Sequence, residues 1–154
     1  MPSEDAARLY LEDLHVGQRF GSGTVAVTTE AIKAFAAEFD PQPFHLDEAA
    51  AKASLFGGLA ASGWHTAALT MKLLVGGEFL PVGGLIGAGS DEMRWPRPVR
   101  PGDVLRVESE ILEIRPSQSR PDRGMAKARI TTLNQAGEPV QVLVVNMVIP
   151  RRPT

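Results

Sequence analysis

Asp40 and His45 stand five residues apart in Asp40-Pro41-Gln42-Pro43-Phe44-His45, and Ser62-Gly63 follows 17 residues after His45 at the head of a long apolar segment. A carboxylate and an imidazole on a stiff loop suit the addition or removal of water. Adding water to an activated double bond needs a base that takes a proton from water and an acid that protonates carbon. It also needs donors for the enolate oxygen. General acid–base help of this kind is worth about 10²–10⁴-fold. Backbone N–H groups at a helix start are ready donors for a developing oxyanion, and Ser62-Gly63 opens such a helix, with Gly63 allowing close approach. A turn aspartate beside proline and a solvated histidine could produce the same spacing, so the surroundings must carry the weight.

The elements that position these residues are readable. Val16 to Phe20 and Thr24 to Val27 form a first strand or strand pair. Thr28 is an N-cap with Glu30 in the first turn. Ile32, Phe35, Ala36 and Phe39 recur at helical spacing, so 29–39 is an amphipathic helix. Pro41 ends it by biasing Asp40 toward extended backbone, and Pro43 does the same to Gln42. Asp47 caps a short helix to Ala53, and Phe56-Gly57-Gly58 breaks it. Ser62 caps a longer helix, about 63–75, whose apolar residues cover most of the circumference, so it is expected to be buried nearly all round. Residues 76–89 read as a glycine-rich flexible connection that could gate substrate. A strand is expected from about Ile86 to Arg97. Then come a period-two strand through Val104–Ile111, a second over Met125–Leu133, a turn at 134–137 and a third over Val140–Ile149. The C-terminal half reads as an antiparallel meander. One sheet wrapped around one buried helix satisfies this order, an α+β arrangement.

The whole chain, 1–154, reads as one domain, with a core over about 10–150 behind a loose polar lead-in at 1–9. A domain of this size buries roughly 70% of its unfolded surface and needs no covalent staple. A formal net charge of −2 without a basic run argues against nucleic acid and anionic membranes as partners. The absence of cysteine removes disulfides, thiolate nucleophiles and cysteine metal sites, and suits a cytoplasmic location. The acidic N-terminus lacks the apolar run of a secretory signal. No apolar run is long enough to span a bilayer.

Phe35-Ala36-Ala37-Glu38-Phe39-Asp40-Pro41-Gln42-Pro43-Phe44-His45-Leu46-Asp47, with Ala50, Phe56-Gly57-Gly58-Leu59 and Ser62-Gly63, resembles the signature of the MaoC-like dehydratases, the (R)-specific enoyl-CoA hydratase branch of the hotdog fold. Pro98-Val99-Arg100-Pro101-Gly102-Asp103 is similar to the family's motif before a long strand. The resemblance covers about residues 10–150. It implies a hotdog fold in which the 63–75 helix is the sausage. It also implies reversible hydration of a trans-2-enoyl thioester to an (R)-3-hydroxyacyl thioester. Asp40 and His45 would be the catalytic pair. Gly63 would offer its N–H to the thioester oxygen, with Ser62 and Trp64 beside it at the substrate. Coenzyme A or an acyl carrier protein would be part of the substrate, with no separate cofactor and no metal, and the chain would form a homodimer or higher homo-oligomer. Two residues depart from the family pattern: Gln42 stands where asparagine is usual, and Ser62 where histidine is. Neither removes a proton-transfer group.

Two other functions fit the same fold class. A hotdog thioesterase would use a carboxylate on the central helix, and Trp64 to Val75 contains none. A non-catalytic acyl-thioester-binding module would not need Asp40 and His45. Elsewhere, His65 reads as a hydrogen-bonded structural histidine, Trp64 as core or tunnel lining, His15 as solvated, and Met71 and Met93 as core fillers. Gly84-x-x-Gly87-x-Gly89 has the wrong spacing for a nucleotide loop. Arg94, Arg97, Arg100, Arg120 and Arg123 are candidates for coenzyme A phosphates.

Overall fold

The computed structural model describes residues 7–154, so the lead-in expected over 1–9 lies outside the described residues up to position 6. A 3₁₀ turn, Leu11–Asp13, precedes two short strands, β1 (Arg19–Phe20) and β2 (Thr24–Ala26). Helices α1 (Thr29–Phe39), α2 (Pro43–Leu46), α3 (Glu48–Lys52) and α4 (Gly63–Val75) follow, and then strands β3 (Ile86–Arg94), β4 (Val104–Pro116), β5 (Arg123–Leu133) and β6 (Pro139–Pro150).

Local chemistry sets the helix starts. The Thr28 side chain accepts from the Ala31 N–H, Asp47 from Ala50 and Ser62 from Trp64, each satisfying a donor that the first helical turn leaves unpaired. Pro43 opens α2, where its missing N–H costs nothing. His45 therefore sits on a helical turn rather than on the extended loop that the two prolines suggest.

The six strands form one antiparallel sheet in the order β1-β4-β5-β6-β3, with β2 also pairing β4. β4, β5 and β6 are the expected meander. β3 departs from it, crossing to pair with β6 instead of its successor β4. The inner face is a set of cross-strand rows: Val107–Thr132–Gln141, Ser109–Ile130–Leu143 and Ile111–Ala128–Val145. Leu105, Ile111, Ala126, Ala128 and Ile149 are fully buried there. The outer face carries charges that pair across strands: Arg129 with Glu110 at 3.1 Å and Lys127 with Asp91 at 3.0 Å.

α4 lies on the inner face. Its Thr70 hydroxyl is 2.6 Å from that of Thr132 and receives the Gln141 amide at 3.1 Å, so the helix is keyed to β5 and β6 by polar contacts inside the core. This is the α+β hotdog arrangement, one antiparallel sheet around a central helix. The helix is not buried all round, however. His65, Thr66, Thr70, Leu73 and Leu74 are buried, while Trp64, Ala68, Met71 and Val75 form an exposed stripe at helical spacing. α4 has more apolar circumference than one chain's sheet covers. Trp64 and Met71 are therefore not core residues in this chain. The glycine-rich stretch also differs from expectation, because β3 begins at Ile86 and takes up Gly87 and Gly89. Among the described residues, no helix is long and apolar enough to cross a membrane.

Candidate active site

α1 ends at Asp40 because Pro41 follows, and the chain turns at once into α2, which carries His45. This brings Asp40 Oδ2 to 3.3 Å from His45 Nε2. The His45 side chain is 5% exposed and that of Asp40 16%, so Asp40 is the more accessible of the two.

Each partner is fixed by its remaining polar atoms. Ser62 Oγ donates to Asp40 Oδ2 at 2.7 Å, and Gln42 Nε2 donates to Asp40 Oδ1 at 2.5 Å. His45 Nδ1 lies 2.6 Å from the Ala60 carbonyl oxygen. A carbonyl can only accept, so Nδ1 carries a hydrogen; in the neutral ring Nε2 is then an acceptor, and in the protonated ring it donates to Asp40. Burial pushes the Asp40 carboxyl up, but the hydrogen bonds from Ser62 and Gln42 and the adjacent His45 outweigh it. The net direction is below the ordinary value.

Ser62 joins this pair to α4. Its hydroxyl donates to Asp40 while accepting the Trp64 N–H at 3.2 Å, and its carbonyl accepts from the N–H groups of His65 and Thr66. Among the described residues, the Gly63 N–H has no such partner. It is the unspent donor at the positive end of a 13-residue helix. Glycine is required there for a reason absent from sequence reasoning. A Cβ on Gly63 would lie 2.7 Å from Trp95 Cε2. Trp95 is held in place by its Nε1, which donates to Gln141 Oε1 at 2.9 Å, and Gln141 is fully buried. Beside Gly63 lies a cavity of about 160 Å³ lined by Phe56, Ala61, Thr66, Trp95 and Val99 among others.

The structure thus brings together Asp40, His45, Ser62 and Gly63. Trp64 is adjacent but 59% exposed, its ring edge-on to Trp95 at 5.6 Å. His65 is buried as expected, yet its Nδ1 has no hydrogen-bond partner. The ring stacks on Phe35 at 4.7 Å instead. Of the arginines considered for phosphate, Arg100 is committed to backbone carbonyls, Arg97 pairs with Glu138 and Arg123 with Asp122. Gln42, Ala60, Trp95 and Arg100 were missed as site-shaping residues. Gln42 and Arg100, each within a quoted motif, left a signal, Arg100 as a candidate for phosphate and not for the backbone carbonyls it holds. Among the described residues there is no cluster of three or more His, Cys, Asp or Glu that could hold a metal.

Known proteins share this architecture. The structure superposes on the MaoC-like dehydratase from Rhodospirillum rubrum with a TM-score of 0.92, at 60% sequence identity over 95% of this chain and 99% of that one. It superposes on the (R)-hydratase PhaJ1 from Pseudomonas aeruginosa with a TM-score of 0.72, at 32% identity over 94% and 88%. The 3-hydroxybutyryl-CoA dehydratase of Methylorubrum extorquens is 32% identical over 112 residues, 73% of this chain and 69% of that protein. The sequence itself matches the MaoC like domain over residues 14–132, a span that holds the Asp40–His45 pair, the α4 N-terminus and the inner rows of β4 and β5. Matched over most of its length, the chain belongs to the MaoC-like dehydratase family.

Proposed function

We propose that the protein is a hydro-lyase that reversibly hydrates a trans-2-enoyl thioester to an (R)-3-hydroxyacyl thioester, the acyl group being carried by coenzyme A or an acyl carrier protein. The observation that carries this reading is the 3.3 Å approach of Asp40 Oδ2 to His45 Nε2, with the other polar atoms of both side chains already engaged. With Nδ1–H tied to the Ala60 carbonyl, the neutral ring leaves Nε2 as an acceptor beside the Asp40 carboxylate, and two acceptors side by side suit a water held by its two hydrogens. As the water oxygen bonds to C3, one of the pair removes a proton, and the pair returns a proton to C2. Both added groups come from one water, and no other reactant is needed. Charge gathering on the thioester oxygen is met by the Gly63 N–H. A fixed donor of this kind is typically worth about 10²–10³-fold. The relatives named as a 3-hydroxybutyryl-CoA dehydratase and an (R)-hydratase support this chemistry. The absence of a carboxylate along α4 speaks against a thioesterase.

The test is the enoyl-thioester absorbance of crotonyl-CoA with the native protein, Asp40→Asn and His45→Gln. Loss of absorbance with the native protein, slowed about 10²-fold or more in each variant, is the expected result. Full activity in either variant overturns the assignment of the pair. Release of free thiol with the double bond intact would identify a thioesterase instead.

A further inference from the structure

His45 Nδ1 meets one acceptor, the Ala60 carbonyl oxygen at 2.6 Å, while Nε2 faces Asp40 Oδ2 at 3.3 Å, and Ala60 lies in an irregular segment between α3 and α4. Its backbone there is tethered at few points: the Ala60 N–H donates to Phe44 at 3.4 Å and the Ala61 N–H to Val99 at 2.9 Å. The stronger restraint is Arg100. Its Nη1 donates to the Gly58 carbonyl at 2.8 Å and the Leu59 carbonyl at 3.3 Å, and its Nη2 donates to Phe56. A Cβ on Gly58 would sit 3.3 Å from that guanidinium, so the backbone passes close against it. Arg100 is held in turn. Its N–H donates to Asp103 Oδ2 at 2.9 Å, and Asp103 Oδ1 accepts from Gln135 at 3.0 Å. Among the described residues, no carboxylate lies within ion-pair distance of the guanidinium. Its charge is spent on the three carbonyls that lead up to Ala60, and charge-assisted bonds are the stronger kind.

We infer that Arg100 is a positioning residue: by clamping residues 56–59 it aims the Ala60 carbonyl at His45 Nδ1 and so keeps Nε2 free as an acceptor. The consequence for rate rests on the hydratase reading; the tautomer does not. If the segment slackens, Nδ1 loses its acceptor, and the Nε2–H tautomer competes, donating to Asp40 and unable to take a proton from water. Lysine offers a single ammonium point in place of the fork.

The experiment is long-range ¹H–¹⁵N correlation of the imidazole rings in native protein, Arg100→Met and Arg100→Lys. The chain has three histidines, and the absence of one signal set in His45→Gln identifies His45. The native protein should show His45 protonated at Nδ1, whereas Arg100→Met should populate the Nε2–H form. Where turnover is measurable, its kcat should fall about 10- to 100-fold, less than loss of the acid–base group itself, with KM within about twofold. If Arg100→Met does not fold, Arg100→Lys decides, with an intermediate shift expected. Arg97→Met, which removes a cation of the same connection, should leave the His45 shifts unchanged. Superimposable His45 shifts in native protein and in the folded Arg100 variants overturn the inference. So does an equal change in Arg97→Met, which would mean that charge and not the clamp matters. If the native protein hydrates no enoyl thioester, the hydratase reading fails while the tautomer comparison still decides the role of Arg100.

Discussion

His65 differs from the other buried polar groups in having no polar compensation at Nδ1. It is 6% exposed, its Nδ1 is unpaired, and its ring lies within 7° of parallel to Phe35. Burial holds its imidazole below the ordinary 6.5, and a buried unpaired polar atom costs about 1–3 kcal/mol. The sign of the pH effect follows. A base whose pKa is depressed by folding binds its proton first in the unfolded chain, so stability falls as pH drops below 6.5. Asp40, whose partners hold its carboxyl below the ordinary 3.8, acts in the same sense but only at more acid pH, and it keeps its charge between pH 8 and pH 5.5. His65→Phe keeps the stack and removes the unpaired nitrogen. Urea melts at pH 8 and pH 5.5 should show the native protein losing more stability than the variant over that interval. Equal losses would mean that His65 is satisfied in solution and titrates as a free histidine does.

At the scale of elements, the helix ends were legible because capping is local. Thr28, Asp47 and Ser62 each serve the turn that follows them. The alternation of β4 was legible for the same reason, with Leu105, Val107, Ser109 and Ile111 buried in sequence-visible order. The place of β3 was not, since strand partners are chosen across the whole chain and two register shifts blur its alternation. The need for glycine at position 63 was also only half legible. Its free N–H was expected from the helix start, but the Trp95 ring over its Cα comes from a residue 32 positions away. Gly63→Ala should therefore destabilise the protein by overpacking, about 1–3 kcal/mol. In a Trp95→Ala background the same change should cost little. A double-mutant cycle of chemical denaturation isolates this coupling. Equal cost in both backgrounds would mean that the requirement lies in the backbone of α4 and not in the indole.

On the scale of the whole molecule, one chain leaves two matching features uncovered. Trp64, Met71 and Val75 expose an apolar stripe along α4, at 59%, 46% and 51%, and β3 ends the sheet with Ile86 at 55%. Contiguous apolar surface of this kind marks an interaction site, and a nine-residue unpaired edge invites another strand. A second copy of the chain supplies both an apolar stripe and an edge of the same length, and a two-fold interface uses the same patch on each partner. Sedimentation equilibrium of the native protein should accordingly give twice the chain mass of 16.5 kDa. Met71→Glu with Val75→Glu places two charges on the stripe without touching the buried residues Thr66, Thr70, Leu73 and Leu74, and should yield a folded monomer by circular dichroism and sedimentation. The stripe starts at Trp64, one residue from the Gly63 N–H, so pairing along it would wall the approach to the oxyanion donor. The monomeric variant should then lose crotonyl-CoA turnover although Asp40, His45 and Ser62 are untouched. A native monomer at micromolar concentration would remove the second copy from the site, and full turnover by the charged monomer would show that one chain holds the whole active centre.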